Sequence, residues 1–395
     1  MLRKFLLLRP GCMALRLLRL VPVKLSPQIP VAVFLTSFHP GGTERQMIEL
    51  TERLDRSRFE VHIACFHDEG AWRERAHASA PVTAFPIRGF ARPATMAKAA
   101  AFAAWCRARR LAVVQTCDLY ANTFALPAAA LAGVPARIGS RRELRPDKST
   151  AQIALQRQAY RFAHKIVANS PAAAEQLVRE GVPPARIHVI ANGVQGDQFS
   201  PRPPRSGVRT VITVANLRQE KGHEVLIEAA AWLRDRHADL QFLLVGSGPR
   251  RAALEAMVNA RGLQQTVRFT GHRDDVAALL ADADVFVLPS RSEAFPNAAI
   301  EAMAAGLPVV ASAVGGLLDL IEPERTGLLV AAGDSAALAD AIDRLIAEPQ
   351  RAARIGAAAR QTVAARYSFE RMVRSFENLY LSHLEMPRRV SSRAA

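Results

Sequence analysis

SEAFPNAAIEAMAAGLPVVAS, residues 292–312, sets Glu293 and Glu301 eight positions apart around a helix start. Pro296 is tolerated in a first helical turn, Ala298 to Ala305 are good helix formers, and Gly306-Leu307-Pro308 stops the helix ahead of a buried strand, Val309 to Ser312. Glu293 therefore belongs to a loop and Glu301 to a helix. A carboxylate accepts hydrogen bonds from two adjacent hydroxyls, and the free amides at a helix start face an anion such as a diphosphate. One short segment thus offers partners for sugar and ribose hydroxyls and for phosphate.

Outward from this segment the chain alternates strand, loop and helix. Buried strands are expected at Pro30 to Thr36, Val61 to Phe66, Ala112 to Thr116, Ala136 to Ser140 and Lys165 to Ala168, with an amphipathic helix from Glu44 to about Leu54 after the loop Ser37 to Thr43. This is the alternation of parallel α/β structure. The Pro- and Arg-rich stretch Pro201 to Ser206 breaks the pattern and reads as a domain boundary. A second cycle then runs through Thr210 to Ala215, Gln241 to Val245, Val267 to Thr270, Val285 to Pro289, Val309 to Ser312 and Gly327 to Val330. A last helix is read over roughly Phe369 to His383. The organisation expected is a leader over 1–28, one Rossmann-like domain over 29–200, a second over 207–368, a C-terminal helix over 369–386 and a flexible tail over 387–395.

The segment 292–312, together with Asn192-Gly193-Val194, Arg218, Lys221-Gly222, Val245-Gly246-Ser247-Gly248 and Gly315-Gly316, resembles the retaining glycosyltransferases of family 4 in order and approximate spacing. The likeness covers roughly residues 30 to 380 and is strongest after about 205. It implies the GT-B architecture, α/β throughout, with two Rossmann-like parallel-sheet domains facing across a cleft and the final helix crossing back onto the first domain. It also implies site roles. Arg218 and Lys221, between a strand end and a helix, hold the donor diphosphate in the crevice where open α/β sheets bind ligands. Glu301 accepts from the nucleotide ribose, Glu293 meets the transferred sugar, and the amides near Phe295, Pro296 and Asn297 complete the cradle, although Pro296 has no donor of its own. Gly246 lies near the donor, Arg273 falls where the base is met through backbone, and the turn Gly41-Gly42 brings first-domain amides toward the phosphates.

Gly246-Ser247-Gly248 is a poor dinucleotide fingerprint, because no third glycine follows at the needed spacing and the next strand does not end in an acid. The main departure from the family is Gln115-Thr116-Cys117-Asp118, where many members carry a pair of histidines. Asp118, Tyr120 or Asn122 is left to meet donor or acceptor there, with Asp118 the catalytic candidate. Arg141, Arg142, Glu143 and Arg145 form a charged run after a strand end, which fits an anionic acceptor or plain solvated surface. Asn192-Gly193-Val194 suits a left-handed hinge turn. Asp282-Ala283-Asp284 matches a metal-binding DxD by letter, but leads straight into a strand and reads as a helix-end turn.

A chain of 395 residues with 50% hydrophobic and 22% charged residues has the composition of an ordinary two-domain globular protein. The net charge of +16 would suggest nucleic acid, yet arginine supplies 46 of the 52 basic residues and aromatics are only 6%. No basic patch interleaved with aromatics and no zinc-finger spacing is present, so nucleic acid is not expected. An anionic membrane face or a diphosphate substrate accounts for the surplus equally well. The four cysteines, Cys12, Cys65, Cys106 and Cys117, form no CxxC pair, which argues against a disulfide framework or a zinc site and for a reducing cytoplasm. Residues 1–25 fit a secretory signal poorly because Arg9-Pro10-Gly11 breaks the apolar run. Met13 to Leu20 suits a helix lying on an anionic membrane, and a disordered leader or a start placed too early is the plainer alternative.

The function expected is a cytoplasmic retaining glycosyltransferase of hexosyltransferase type, peripheral at the inner membrane face or free. It would move a sugar from a nucleotide-diphosphate sugar to a saccharide or lipid-linked acceptor in cell-surface polysaccharide, lipopolysaccharide or glycolipid synthesis. Neither metal nor cofactor is expected, since cations and helix amides can meet the charge of the leaving diphosphate. Two other readings stand: a sugar-nucleotide epimerase on the same scaffold, and a noncatalytic nucleotide-sugar-binding protein.

Overall fold

The computed structural model describes residues 28–90, 92–144, 149–199 and 207–385. The leader, the boundary stretch 201–206, Arg145 and the tail lie outside them. In the first half the strands are β1 (Ile29–Leu35), β2 (Phe59–Cys65), β3 (Val82–Ala84), β4 (Val113–Thr116), β5 (Ala136–Arg141), β6 (Lys165–Ala168) and β7 (Ile187–Val189). Between them run α1 (Gly42–Arg53), α2 (Arg73–Ser79), α3 (Pro93–Ala108), α4 (Leu119–Leu131), α5 (Thr150–Tyr160) and α6 (Pro171–Arg179). The second half has β8 (Thr210–Val214), β9 (Gln241–Val245), β10 (Val267–Gly271), β11 (Val285–Leu288), β12 (Val309–Ser312) and β13 (Leu328–Val330). Its helices are α7 (His223–Arg234), α8 (Arg251–Ala260), α9 (Val276–Asp282), α10 (Asn297–Ala304), α11 (Gly316–Leu320), α12 (Ser335–Ala347), α13 (Pro349–Arg366) and α14 (Phe369–Glu385).

The strands pair in the order β3-β2-β1-β4-β5-β6-β7 in one sheet and β10-β9-β8-β11-β12-β13 in the other, with parallel registers throughout. Both are doubly wound sheets, and chain direction reverses beside β1 in the first and beside β8 in the second. Such reversals open a crevice at the carboxyl ends of the central strands. Val31 to Leu35 and Val285 to Leu288 are buried without alternation, because helices cover both faces. The three-residue edge strands β3 and β7 escape a reading by apolar runs, being too short and only partly buried. Among the described residues no helix is long and apolar enough to cross a membrane.

Helix α14 belongs by chain order to the second half but packs on the first. Phe369, Met372, Val373, Phe376, Leu379 and Tyr380, a stripe at helical spacing, join the cluster built on β1, β2 and α1. Arg53, at the end of α1, fastens this return: it donates to Gln195 Oε1 at 2.8 Å and lies over the Phe369 ring at 5.0 Å. Beside it, Gln46 of α1 exchanges two 2.9 Å bonds with the backbone of Gly193, and Val194 N–H donates to Tyr367 C=O at 2.8 Å. The left-handed hinge turn expected at Asn192-Gly193 is not what the backbone does, since neither residue has positive φ. Glycine is required at 193 for closeness instead: a Cβ there would lie 2.7 Å from Phe369 Cα.

Gly193→Ala is therefore expected to push α14 off the hinge and to destabilise the protein by about 1–3 kcal/mol, as overpacking against backbone does. Urea unfolding followed by circular dichroism measures it, and a midpoint unchanged from wild type would contradict the account.

Candidate functional site

The loops leaving the carboxyl ends of the strands in both sheets meet in the crevice between them. In the second half three of these loops are stacked by glycines that admit no side chain. Gly222 is left-handed at φ 64°, and a Cβ on it would sit 2.1 Å from Pro289 C=O. Gly246, at φ 143°, presses to 2.0 Å of Ala215 C=O by the same measure. The loop after β8 is thereby laid on the loop after β11. Lys221 Nζ consequently reaches Glu293 Oε1 at 2.6 Å, and Ser290 Oγ donates to the same oxygen at 2.7 Å. Glu293 is buried while Lys221 is about one-quarter exposed, so the pair is reached by solvent from the lysine side.

Gly315 holds the opposite wall. Its Cβ position would be 2.0 Å from Glu293 C=O and 2.8 Å from Leu144 Cδ1 of the first half, and Gly316 N–H donates to Glu293 C=O at 2.9 Å. Arg218 precedes the short turn holding Lys221 and is exposed, with no carboxylate partner among the described residues. Its guanidinium is the uncommitted cation nearest in sequence to the Lys221–Glu293 pair.

Helix α10 starts one residue later than Pro296, which serves as the flanking residue rather than a member of the first turn. The start of α10 faces the start of α1. Asn192 Nδ2 donates to Asn297 Oδ1 at 2.7 Å, and buried Arg142 Nη1 donates to Asn192 Oδ1 at 2.8 Å. A Cβ on Gly42 would meet Asn297 Nδ2 at 2.6 Å. One turn further along each helix, Arg45 of α1 forms an ion pair with Glu301 of α10. Burial raises the Glu301 carboxyl above its ordinary range, and Arg45 opposes this. Phe295 stacks edge-on against Tyr367 at 5.7 Å, at the rim of the second core.

On the first-half wall, Asp118 caps α4 by accepting from Ala121 N–H at 2.8 Å, and its other oxygen accepts from Thr36 Oγ1 at 2.7 Å. Both oxygens of this catalytic candidate already have partners. Glu44 folds back over Gly41, its Oε2 being 2.2 Å from where a Cβ of Gly41 would lie. Burial, and then the negative charge of Asp118, hold the Glu44 carboxyl above its usual range against its own backbone N–H, Arg142 and His39.

Several sequence readings need correction. Asn122 cannot meet a ligand: it is fully buried, accepting from Thr116 Oγ1 and Ser140 N–H and donating to Ser140 C=O at 2.8 Å, so it rivets β4 to β5. Tyr120 is half exposed and stacked on Phe90 at 6.0 Å. Arg141 is neither solvated surface nor open to an acceptor, because it is wholly buried and bonded to Glu180 at 2.9 Å and Gln156 at 2.8 Å. Arg142 is buried as well, on Asn192. Apart from these corrections, the exposed Arg273 side chain pairs with Asp275 at 2.5 Å, and the role expected of this residue runs through its backbone rather than its guanidinium. Asp284 is a buried strand-entry residue whose Oδ2 accepts from Arg209 and Thr210 N–H groups.

The structure thus brings Lys221 and Glu293 into contact, and it brings Gly42 and Asn297 together across the two halves. Arg45, Glu44, Asn192, Arg142 and Ser290 are members of this neighbourhood that the sequence reading did not single out as site residues. Asn192 reads in the sequence as part of a hinge turn and Arg142 as part of a charged run, while Ser290 is a loop residue with no motif of its own. Arg45 and Glu44 read as the solvated start of an amphipathic helix, and only the apposed helix distinguishes them.

Two family models match the chain: Glycosyltransferase Family 4 over residues 40–198 and Glycosyl transferases group 1 over residues 195–362. The putative colanic acid biosynthesis glycosyltransferase WcaL of Escherichia coli is 36% identical over 176 residues, 42% of this chain and 43% of its own. The alpha-D-kanosaminyltransferase of Streptomyces kanamyceticus is 33% identical over 228 residues, 54% of this chain and 59% of its own. The matched region spans about half the length of these curated relatives. The solved structure of Anabaena HepE in complex with UDP and glucose superimposes with a TM-score of 0.81 over 90% of this chain and 100% of that one, at 22% identity. That likeness shows the fold, two facing Rossmann-like domains of the GT-B kind.

His223, the first residue of α7 beside Lys221, is buried and neither ring nitrogen has a partner among the described residues. Burial first, then Lys221 and Arg250, push its pKa down to about 4, against Glu224. The unfolded chain takes up a proton near 6.5 and the folded one does not until about 4, so stability falls as pH drops through that window. The loss expected from this residue is on the order of 2–3 kcal/mol by pH 4. His223→Leu should flatten that part of the urea-midpoint profile between pH 7 and 4, and an unchanged slope would refute it.

Proposed function

Because the chain belongs to the family 4 glycosyltransferases, we propose that it transfers a sugar from a nucleotide-diphosphate sugar to a saccharide or lipid-linked acceptor, with the anomeric configuration retained. The observation that carries this reading is the Lys221–Glu293 pair, reached by solvent from the lysine side, with Glu301 on the adjoining helix. In the reaction the bond from the anomeric carbon to the diphosphate oxygen breaks and a bond to the acceptor oxygen forms on the same face. The acceptor proton passes to the departing phosphate oxygen. Negative charge grows on the diphosphate, and the groups available to meet it are the Lys221 ammonium, the Arg218 guanidinium and the amides starting α1 and α10.

Glu301 accepts from the ribose hydroxyls. Glu293 has both hydrogen bonds on Oε1, which leaves Oε2 for a hydroxyl of the transferred sugar. Gly41, Gly42 and Gly246 let backbone approach the phosphates, and Arg273 lies where backbone meets the base. Asp118, its oxygens engaged, acts by fixing the α4 start rather than on the sugar, and Glu44 is a second carboxyl close enough to Asp118 to feel its charge. The reading assigns no metal a role. Among the described residues no three or more His, Cys, Asp or Glu side chains converge to hold one.

The comparisons lend direction to the substrate class. WcaL is described as a colanic acid biosynthesis glycosyltransferase, and HepE was solved with UDP and glucose. A cell-surface polysaccharide, lipopolysaccharide or glycolipid acceptor, met on the cytoplasmic side of the membrane with some peripheral contact, fits these names and the net charge of +16.

Thermal unfolding with a panel of UDP, GDP, ADP and TDP sugars tests the donor. At about 100 times the dissociation constant the right one should stabilise the fold by roughly 2.7 kcal/mol. Lys221→Ala should then lower transfer about 10²–10³-fold, the usual effect of deleting a charge-stabilising donor. No shift with any member of the panel would sink the reading. Conversion of the donor without an acceptor would favour an epimerase, and binding with no turnover a sensor.

A further inference from the structure

The charged contact between Arg45 and Glu301 joins residues 256 positions apart and spans the two domains. From it we infer that Arg45 is a positioning residue of the donor site, reaching across the cleft to keep Glu301 ionised so that both of its oxygens accept from the nucleotide ribose. The inference rests on the reading of Glu301 as ribose ligand and adds what that reading lacks, a reason for a carboxylate to stay charged in a desolvated place.

The surroundings of Glu301 supply few alternatives. Its side chain is 12% exposed, on a helix packed against β11, β12 and α13. On its own segment the buried charge is Glu293, which is paired with Lys221 from the loop after β8. From α13, Arg360 approaches the far end of α10, where its Cδ lies 4.0 Å from the Cβ position of Gly306. From α1, Glu44 folds over Gly41, and among the described residues Arg45 is the group that makes a charged contact with Glu301. Burial favours the protonated acid, and the guanidinium is the group that opposes it. A protonated carboxyl offers one good acceptor and one donor, whereas a vicinal diol presenting two O–H groups needs two acceptors. Arg45 occupies one lone pair of Oε1, which leaves the other lone pair and all of Oε2 for the two hydroxyls.

The device has a consequence for the domains. The cation sits on α1 of the first domain and the carboxylate on α10 of the second, so the ribose ligand is fully charged only when the two helix starts are apposed. Opening the cleft leaves Glu301 without its counter-ion and loosens the grip on the nucleotide, and nucleotide capture is thereby coupled to approach of the two domains.

The test is nucleotide binding as a function of pH, measured by calorimetry between pH 5.5 and 8 with UDP-glucose, GDP-glucose and ADP-glucose, whose diphosphate esters do not titrate in that range. Wild-type affinity for whichever of these binds should be level across the window. In Arg45→Gln it should fall as pH drops, by up to about tenfold per pH unit below the point where Glu301 takes a proton, and Arg45→Lys, which keeps the charge, should restore the level profile. Arg45→Gln giving the same profile as wild type overturns the inference, as does a uniform loss at every pH, which marks a purely structural role. Glu301→Ala separates the two layers: if it binds the nucleotide sugar as well as wild type, the ribose assignment itself fails.

Discussion

Two helix starts, those of α1 and α10, face each other across the cleft, with Gly42 set against the Asn297 side chain. Gly42 has no Cβ because Asn297 Nδ2 occupies that space, and around this contact the rest of the site takes its places. Two positive helix ends in apposition repel unless something negative lies between or beside them. Glu44, in the first turn of α1, supplies negative charge at that end, and an anionic ligand would do the same for both. The demand for an anion thus follows from the backbone before any side chain is considered.

The same seam is braced from behind by a largely buried polar chain. Arg142 holds Asn192, Asn192 holds Asn297, and Gly193 next to it is gripped by Gln46 on one side and crowded by Phe369 on the other. Buried polar groups of this kind are costly to leave unpaired, and the Asn192, Gln46 and Arg142 Nη1 bonds therefore favour one hinge geometry, although Arg142 Nε has no partner among the described residues. Helix α14 turns this local precision into a global one, because its apolar stripe is part of the first domain's core while its entry residue touches the hinge. A shift of the domains must therefore be accommodated at 193–194 and 367–369.

The glycines of the second domain act on the same principle. Gly222, Gly246 and Gly315 each sit where a Cβ would lie about 2 Å from a backbone carbonyl oxygen, so the loops they carry stack without side chains between them. Lys221 and Glu293 meet as a result of that stacking and not because either seeks the other along the sequence, where they are 72 positions apart.

The sequence by itself determined the strands and helices of the central layers, because runs such as Val31 to Leu35 and Val309 to Ser312 are apolar enough to be buried on both faces, and it marked Lys221, Glu293 and Glu301 because each lies beside a glycine or proline break that puts it at a strand end or helix start. It was blind to the edge strands β3 and β7, which are too short to show a period. Its errors share a cause: Arg141, Arg142 and Asn122 are polar residues at a strand end, in a loop or in a first turn, and such residues read as surface or ligand contacts until a partner is known. Only the tertiary structure supplies Glu180, Asn192 and Ser140 to absorb them. It alone decided that Arg45 should meet Glu301, since that pairing depends on how two separately folded sheets are set against each other, and no local pattern in either domain encodes the distance between them.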